Sequence, residues 1–330
     1  MQKTLRGSIV TARTSTISSF LIVLACVLLT HRTICCAASR EPASLPEKKF
    51  TTIGTDWGSS SRHARRRAEE ALPLHCMDEQ DRQAIQQSLQ STTLYRRLPV
   101  ELFVCDGNLL GFSLDKPETI VDIWRLLGIS RLSLDPTGPD QWQFADGYGT
   151  VGQLQLAYRE RKQTGGMLVF HGKGAYKGPL SPKNLTGGCV LMIRYREAEP
   201  TVDGRLRQAI QVDAFLDMDG IGLEIVTRTL QPLIARSAAA NLHEICLFMS
   251  SLSDAAASNP EGVARLANRL KRTVPIDRQA LATIARETAQ RQKVKTDMPL
   301  EQTASPDQLR VDLAARWLPA DDLQNLQLQQ

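Results

Sequence analysis

The sequence predicts an α+β fold in which a curved antiparallel sheet grips a long helix, with additional helices at the C-terminal end. Between residues 148 and 218, four segments alternate apolar and polar side chains with the period of two that is typical of strands. From residue 232 to 256 the apolar residues instead recur every three or four positions, which indicates a helix with one apolar stripe. Strands grouped together and followed by helices are typical of an α+β domain.

Shorter elements are predicted ahead of the four strands. Residues 77–89 form a short helical pattern, and residues 98–114 resemble strand material with a tight turn at Asp106-Gly107-Asn108. A second helix is predicted over residues 116–127, because Pro117 suits a first helical turn and Gly128 suits a helix end.

Each of the four strand patterns has an apolar side. The predicted apolar rows are Leu154, Leu156 and Tyr158; Leu168, Phe170 and Tyr176; Leu191, Ile193 and Tyr195; and Leu206, Ile210, Val212, Ala214 and Leu216. Polar residues such as Arg207, Gln211 and Asp213 alternate with the last row. An antiparallel sheet allows this arrangement, so we expect one buried face and one face in water.

Helix signals continue after the long helix. Asn259-Pro260 is typical of a cap and first turn, and Asp277 and Ser305-Pro306 each begin a further helical segment. The glutamine-rich tail from Leu318 onward is expected to be loose.

The first 38 residues have the organisation of a secretory signal peptide. Basic residues precede an apolar run at residues 20–29, and Cys36-Ala37-Ala38 offers small residues for cleavage. The run is about half of the roughly 20 residues that a membrane-spanning helix needs. We therefore expect export to the periplasm, the cell envelope or the medium, while cleavage or lipidation of the signal stays open.

The rest of the chain is divided by composition and pattern. Residues 39–97 are predicted as a flexible linker with a short helix, residues 98–272 as the α+β domain, and residues 273–330 as a helical extension. Four cysteines remain after residue 38, at positions 76, 105, 189 and 246. They allow three disulfide connectivities or none, and the sequence does not choose.

The order of a strand, a helix, several antiparallel strands and a long C-terminal helix resembles the START-like helix-grip superfamily, which includes lipid-transfer domains and polyketide cyclases. The likeness covers residues 108–270 and is one of element order, without a family motif, so no functional residue is carried over. It implies an apolar cavity between the sheet and the helix at residues 232–256.

Motifs that suggest catalysis or metal binding fail on inspection. His243-Glu244 begins a zinc-protease pattern, but Leu247 stands where the second histidine ligand belongs. Asp217-Met218-Asp219-Gly220 resembles a calcium loop that lacks carboxylates at the first and last ligand positions. We therefore predict no catalytic residue, no metal ligand and no cofactor.

Amphipathic aromatics concentrate in the strand region and could line a pocket with apolar walls. The predicted ligand-binding residues are Trp142, Phe144, Tyr158, Phe170, Tyr195, Ile245 and Met249. The expected partner is an apolar or amphipathic small molecule, including lipids, and peripheral membrane association fits the same chemistry.

A nucleic-acid partner is not expected. The net charge of +5 is modest, and no basic stripe is interleaved with aromatics. Two alternatives stay open. One is an interaction module with a filled core that uses the helix at residues 306–317. The other is a cyclase-like or hydrolase-like enzyme with a perturbed polar group in the cavity.

Overall fold

The computed structural model describes residues 58–177, 185–218, 223–296 and 306–328. The predicted signal peptide lies outside these residues, as does the first part of the predicted linker. The described chain is an α+β protein with an antiparallel sheet, a long helix after it and further C-terminal helices, which confirms the predicted fold class.

The helices and strands alternate in blocks along the chain. The strands are β1 (Leu94–Arg97), β2 (Glu101–Val104), β3 (Ser133–Gly138), β4 (Gln141–Ala145), β5 (Thr150–Lys162), β6 (Gly165–Tyr176), β7 (Leu185–Ala198) and β8 (Arg207–Met218). The helices are α1 (Arg62–Glu70), α2 (Glu79–Gln90), α3 (Gly107–Asp115), α4 (Pro117–Leu126), α5 (Leu223–Ser258), α6 (Pro260–Asn268), α7 (Pro275–Thr296), α8 (Pro306–Ala314) and α9 (Ala320–Leu328).

The strands form one open antiparallel sheet. Strands β3 to β8 pair in sequence order, so each is the neighbour of the next. Strands β1 and β2 lie end to end along the outer side of β8, where Leu94 pairs with Leu216 and Glu101 pairs with Ile210.

One face of the sheet carries the predicted apolar rows and forms the main core. Ile210, Val212, Ala214 and Leu216 all lie in this core, as the period of two predicted. It also contains α5 side chains, among them Leu242 and Met249, as well as residues of α4, α6, α7 and α8. We call this side of the sheet the helical face.

The opposite face is covered as well, which corrects the prediction that it lies in water. Ala68 of α1 and Ile85 of α2 pack against Val169, Val190 and Phe215 in a second buried cluster. Even Asp213 is fully buried on this side. The pattern misled because polar residues on a strand can face buried hydrogen-bonding partners instead of water. We call this side the N-terminal face.

The predicted apolar row of β5 is wrong at Tyr158. The register with β6 shifts between Leu156, which pairs with Phe170, and Tyr158, which pairs with Val169. Ala157 is the extra residue of this bulge, and one inserted residue reverses the alternation beyond it. Tyr158 consequently lies on the N-terminal face and packs against its cluster.

Two predicted irregular segments are helical. Asp106 does not form a turn between strands; its carboxylate accepts hydrogen bonds from Asn108 N and Leu109 N and caps α3. The tail that was predicted to be loose contains α9. In contrast, the predicted cap at Asn259 is confirmed, since its side chain accepts a hydrogen bond from Gly262 N at 2.9 Å.

Candidate ligand-binding groove

A groove with a volume of about 290 Å³ opens where the end of β2 meets the loop before β8 and the helices α5 and α7. Its lining residues are Val104, Cys105, Asp106, Asp203, Gly204, Arg205, Leu206, Ser253, Asp254, Thr288, Arg291 and Gln292. The groove thus joins side chains from four separate parts of the sequence.

Asp106 lines the groove and is buried. Its carboxylate caps α3 and also accepts two hydrogen bonds from Arg291, from Nε to Oδ2 and from Nη2 to Oδ1, each at 3.1 Å. Paired donors of this kind fix the guanidinium in one plane. The same carboxylate therefore holds the start of α3 and the position of Arg291 on α7.

A second ion pair, between Arg205 and Asp254, also lines the groove. Arg205 belongs to a tight loop that Thr201 closes, since Thr201 N donates to Arg205 O at 2.9 Å. Gly204 has a φ of +77°, a conformation that favours glycine, and lets this loop turn sharply toward the groove.

Part of the groove lining is apolar, and its thiol is a poor nucleophile. Val104, Cys105 and Leu206 contribute to this part, and Ser253 Oγ accepts a hydrogen bond from Asp106 N at 2.9 Å. Burial raises the pKa of the Cys105 thiol, so the thiol stays protonated and is a poor nucleophile.

The formal charges of the groove nearly cancel. Its charged lining residues are three aspartates and two arginines, which gives a net charge of −1. Because both arginines are paired with aspartates, the groove lacks a strong field of one sign.

The residues predicted from sequence to bind a ligand lie elsewhere. Trp142, Phe144, Phe170 and Met249 are buried in the core of the helical face, and Tyr195 and Ile245 pack against it. Tyr158 is separated from them by the sheet. None of the seven is among the lining residues of the groove.

Two of the buried aromatics are held by specific contacts. The rings of Trp142 and Phe170 have centroids 6.1 Å apart, and Trp142 Nε1 donates to Glu118 Oε2 at 2.8 Å. Burial raises the pKa of the Glu118 carboxyl. In this part of the core, the indole N–H thus has a fixed protein partner.

Sequence reasoning also missed the partner of His171. Its Nε2 lies 2.8 Å from Asp81 Oδ1, and Gln155 Nε2 donates to the same oxygen at 2.8 Å. Asp81 is ninety residues away on α2, so no local pattern could reveal the contact. The cluster ties α2 to β5 and β6 on the N-terminal face.

The four cysteines at positions 76, 105, 189 and 246 are free thiols, and all except Cys76 are buried. Within the described ranges, no group of three or more histidine, cysteine or acidic side chains could hold a metal ion. In the same ranges, no helix is both long and apolar enough to cross a membrane.

No family model matches the chain, and no curated protein sequence matches it either. The resemblance to the helix-grip superfamily therefore stays a prediction from the order of elements.

Proposed function

We propose that this protein is an exported binding protein that holds a small amphipathic molecule in the groove without transforming it. The observation that carries the proposal is the groove itself, whose lining combines apolar side chains with two arginine–aspartate pairs. Small-molecule sites generally combine apolar walls with a few well-placed polar groups.

The size and charge of the groove define the ligand class. A volume of about 290 Å³ is at the lower end of the range of ligand pockets, roughly 300 to 1,000 Å³. It suits a small molecule, or one end of a larger lipid, better than an entire phospholipid. The nearly balanced charges favour a neutral or zwitterionic polar group.

Binding is better supported than catalysis. The Cys105 thiol is kept protonated by burial. No histidine is among the described residues that line the groove, so a nucleophile there would have no imidazole base beside it. Asp106 is already bonded to two backbone N–H groups and to Arg291, which suits a positioning role.

The interaction-module alternative is less well supported at its predicted surface. In α8, the residues Leu309, Val311 and Leu313 are buried. Trp317, just beyond this helix, packs on Phe248 of α5 with ring centroids 5.6 Å apart. The apolar side of this segment is already occupied by the protein's own core.

Native mass spectrometry of the protein purified from its host's exported fraction without detergent tests the proposal. We expect a reproducible non-covalent adduct that is lost on denaturation. A bare polypeptide mass, with no uptake from a mixed lipid extract, would contradict the binding function.

A pair of variants on α7 locates the site. Gln292 lines the groove and is exposed, so Gln292→Trp should fill the groove without disturbing the core. Gln290→Trp is the matched control, because Gln290 is exposed on the same helix and is not a lining residue. Loss of the adduct in the first variant alone supports the groove. Equal retention in both would place the ligand elsewhere.

A further inference from the structure

A second surface, at the opposite end of α7, has the chemistry of a membrane contact. It consists of residues 269–278, which form the connection from α6 and the first turn of α7; we call it the 269–278 loop. Two of its apolar side chains project into solvent, with Val274 49% exposed and Ile276 73% exposed. Exposed apolar side chains of this size next to one another require an explanation.

Basic residues surround these two side chains. Arg269, Lys271 and Arg272 are exposed in the loop, and Arg278 is partly exposed one turn into α7. Lys116 reaches the same region through its contact with Asp277 at 3.4 Å.

The acidic residues near the loop are mostly beneath it. They are Asp122, Asp135, Asp277 and Glu118, the last of which lies near Lys116 and Asp277, and together with the five basic residues they leave a net charge of +1. Asp122 and Asp277 are buried, whereas Asp135 is exposed and pairs with Arg272. The outer surface of the loop is therefore more basic than this total suggests.

The loop is held in place from below. Asp122 Oδ2 accepts hydrogen bonds from Arg272 N at 2.8 Å, Thr273 N at 2.9 Å and Thr273 Oγ1 at 3.0 Å. Leu270 is only 1% exposed and belongs to the core of the helical face. These anchors fix the backbone, so the exposed side chains keep their outward positions without a large ordering cost on binding.

We propose that the 269–278 loop docks on a lipid bilayer that contains anionic lipids. Such a bilayer offers negative head groups to the basic residues and, just below them, an apolar layer to Val274 and Ile276. The inference goes beyond the proposed ligand binding and is independent of it. The groove residues begin 13 positions after Pro275 on α7, which corresponds to about 20 Å along the helix.

The test is sedimentation of the full chain with vesicles of phosphatidylcholine alone and of phosphatidylcholine with a quarter phosphatidylserine. We expect binding to the anionic vesicles that falls as salt is raised. Lys271→Gln should weaken it about fivefold, since one basic residue at an anionic surface is worth about that factor. Ile276→Ser should weaken it about tenfold through lost apolar burial.

Two matched variants serve as controls. Arg66→Gln removes an exposed basic side chain on α1, and Val151→Ser removes an exposed apolar side chain on β5. Neither should change vesicle binding. Thermal unfolding of all four variants verifies that they are folded.

Hydrogen exchange separates this surface from the apolar run at residues 20–29, which could bind membranes by itself. We expect vesicles to protect the peptides that span residues 269–279. Protection confined to residues 1–57, or unchanged binding in both loop variants, would overturn the proposal. Retention on heparin without vesicle binding would also overturn it and would indicate a polyanionic partner. Loss of the groove adduct in Gln292→Trp with vesicle binding intact would show that the two surfaces act separately.

Discussion

Replacing Asp213 by Asn should strongly destabilise the fold. Asp213 is fully buried on the N-terminal face and accepts hydrogen bonds from Tyr95 Oη at 2.6 Å, Arg97 Nε at 2.8 Å and Arg194 Nη2 at 2.6 Å. One carboxylate thus pairs with two guanidinium groups and joins β1, β7 and β8. Asparagine has almost the same size, so the change removes the charge and leaves the packing.

The magnitude follows from the burial of the partners. Removing one member of a buried ion pair costs about 3–5 kcal/mol, because the remaining charge is left without compensation. The side chains of Arg97 and Arg194 are 14% and 32% exposed, so water can partly solvate them. We therefore expect a loss of about 3 kcal/mol in the free energy of unfolding, at the lower end of that range.

Urea denaturation, followed by circular dichroism, measures this loss as a lower midpoint with an unchanged slope. Tyr95→Phe should cost less, about 1.5–2 kcal/mol, since it removes a single hydrogen bond to a charged group. The control is Glu261→Gln, which makes the same chemical change in the exposed pair with Arg286. A loss for Asp213→Asn no larger than that of Glu261→Gln would refute the reasoning.

Three further predictions concern a histidine, a glycine and the thiols. The hydrogen bond to Glu101 raises the pKa of His243, so the pair stabilises the fold fully below pH 6.5 and less as the pH rises through the raised pKa. Urea denaturation measures the difference in the free energy of unfolding between the unchanged protein and Glu101→Gln. This difference should decrease as the pH rises through the pKa of His243, and a difference that stays constant would contradict the prediction. Gly152→Ala should lower the melting temperature and cost about 1–3 kcal/mol, because a Cβ there would lie 2.5 Å from both Lys173 O and Phe144 Cζ; an unchanged melting temperature would contradict the overpacking. Among the four cysteines after residue 38, a thiol reagent should modify Cys76 alone in the native protein, and a second reactive thiol among these four would be inconsistent with their burial. The thiols expected to react only after unfolding are Cys105, Cys189 and Cys246.

The sequence predicted correctly those elements whose position depends on local patterns of apolar, capping and proline residues. In β8, a one-residue slip would turn Ile210 through Leu216 away from the core, so the apolar row determined the register. The cap at Asn259 and the helix start at Pro117 were also local signals. The bulge at Ala157 has no such signal, since alanine is compatible with either alternation.

The covering of the N-terminal face could not be predicted, because it depends on partners distant in sequence. Asp213 was read as a water-facing residue, whereas Tyr95 and Arg97 lie more than a hundred positions away. His171 had no partner in its own neighbourhood and finds Asp81 on α2. A polar residue in a strand pattern is ambiguous until the opposite layer is known.

The groove was missed for a similar reason. Its polar residues come from the segment between β2 and α3, the loop before β8, α5 and α7, and no two of these segments are neighbours in the sequence. Asp106 was noticed, but as part of a turn. Its contact with Arg291 could not be predicted without the position of α7, a helix that begins 169 residues later, at Pro275.

The two candidate locations for a ligand differ in what binding would require. At the predicted aromatic site, a ligand would have to displace side chains such as Phe144 and Phe170, which are 1% and 5% exposed and already packed in the core. Emptying a packed core forfeits the contacts and burial that stabilise it. The groove instead provides open volume beside a framework that the contact between Asp106 and Arg291 holds in place. Phe170→Leu should therefore lower stability without abolishing ligand binding, whereas Gln292→Trp should abolish binding without lowering stability. If Phe170→Leu abolished ligand binding and Gln292→Trp did not, the ligand would bind in the sheet–helix core instead.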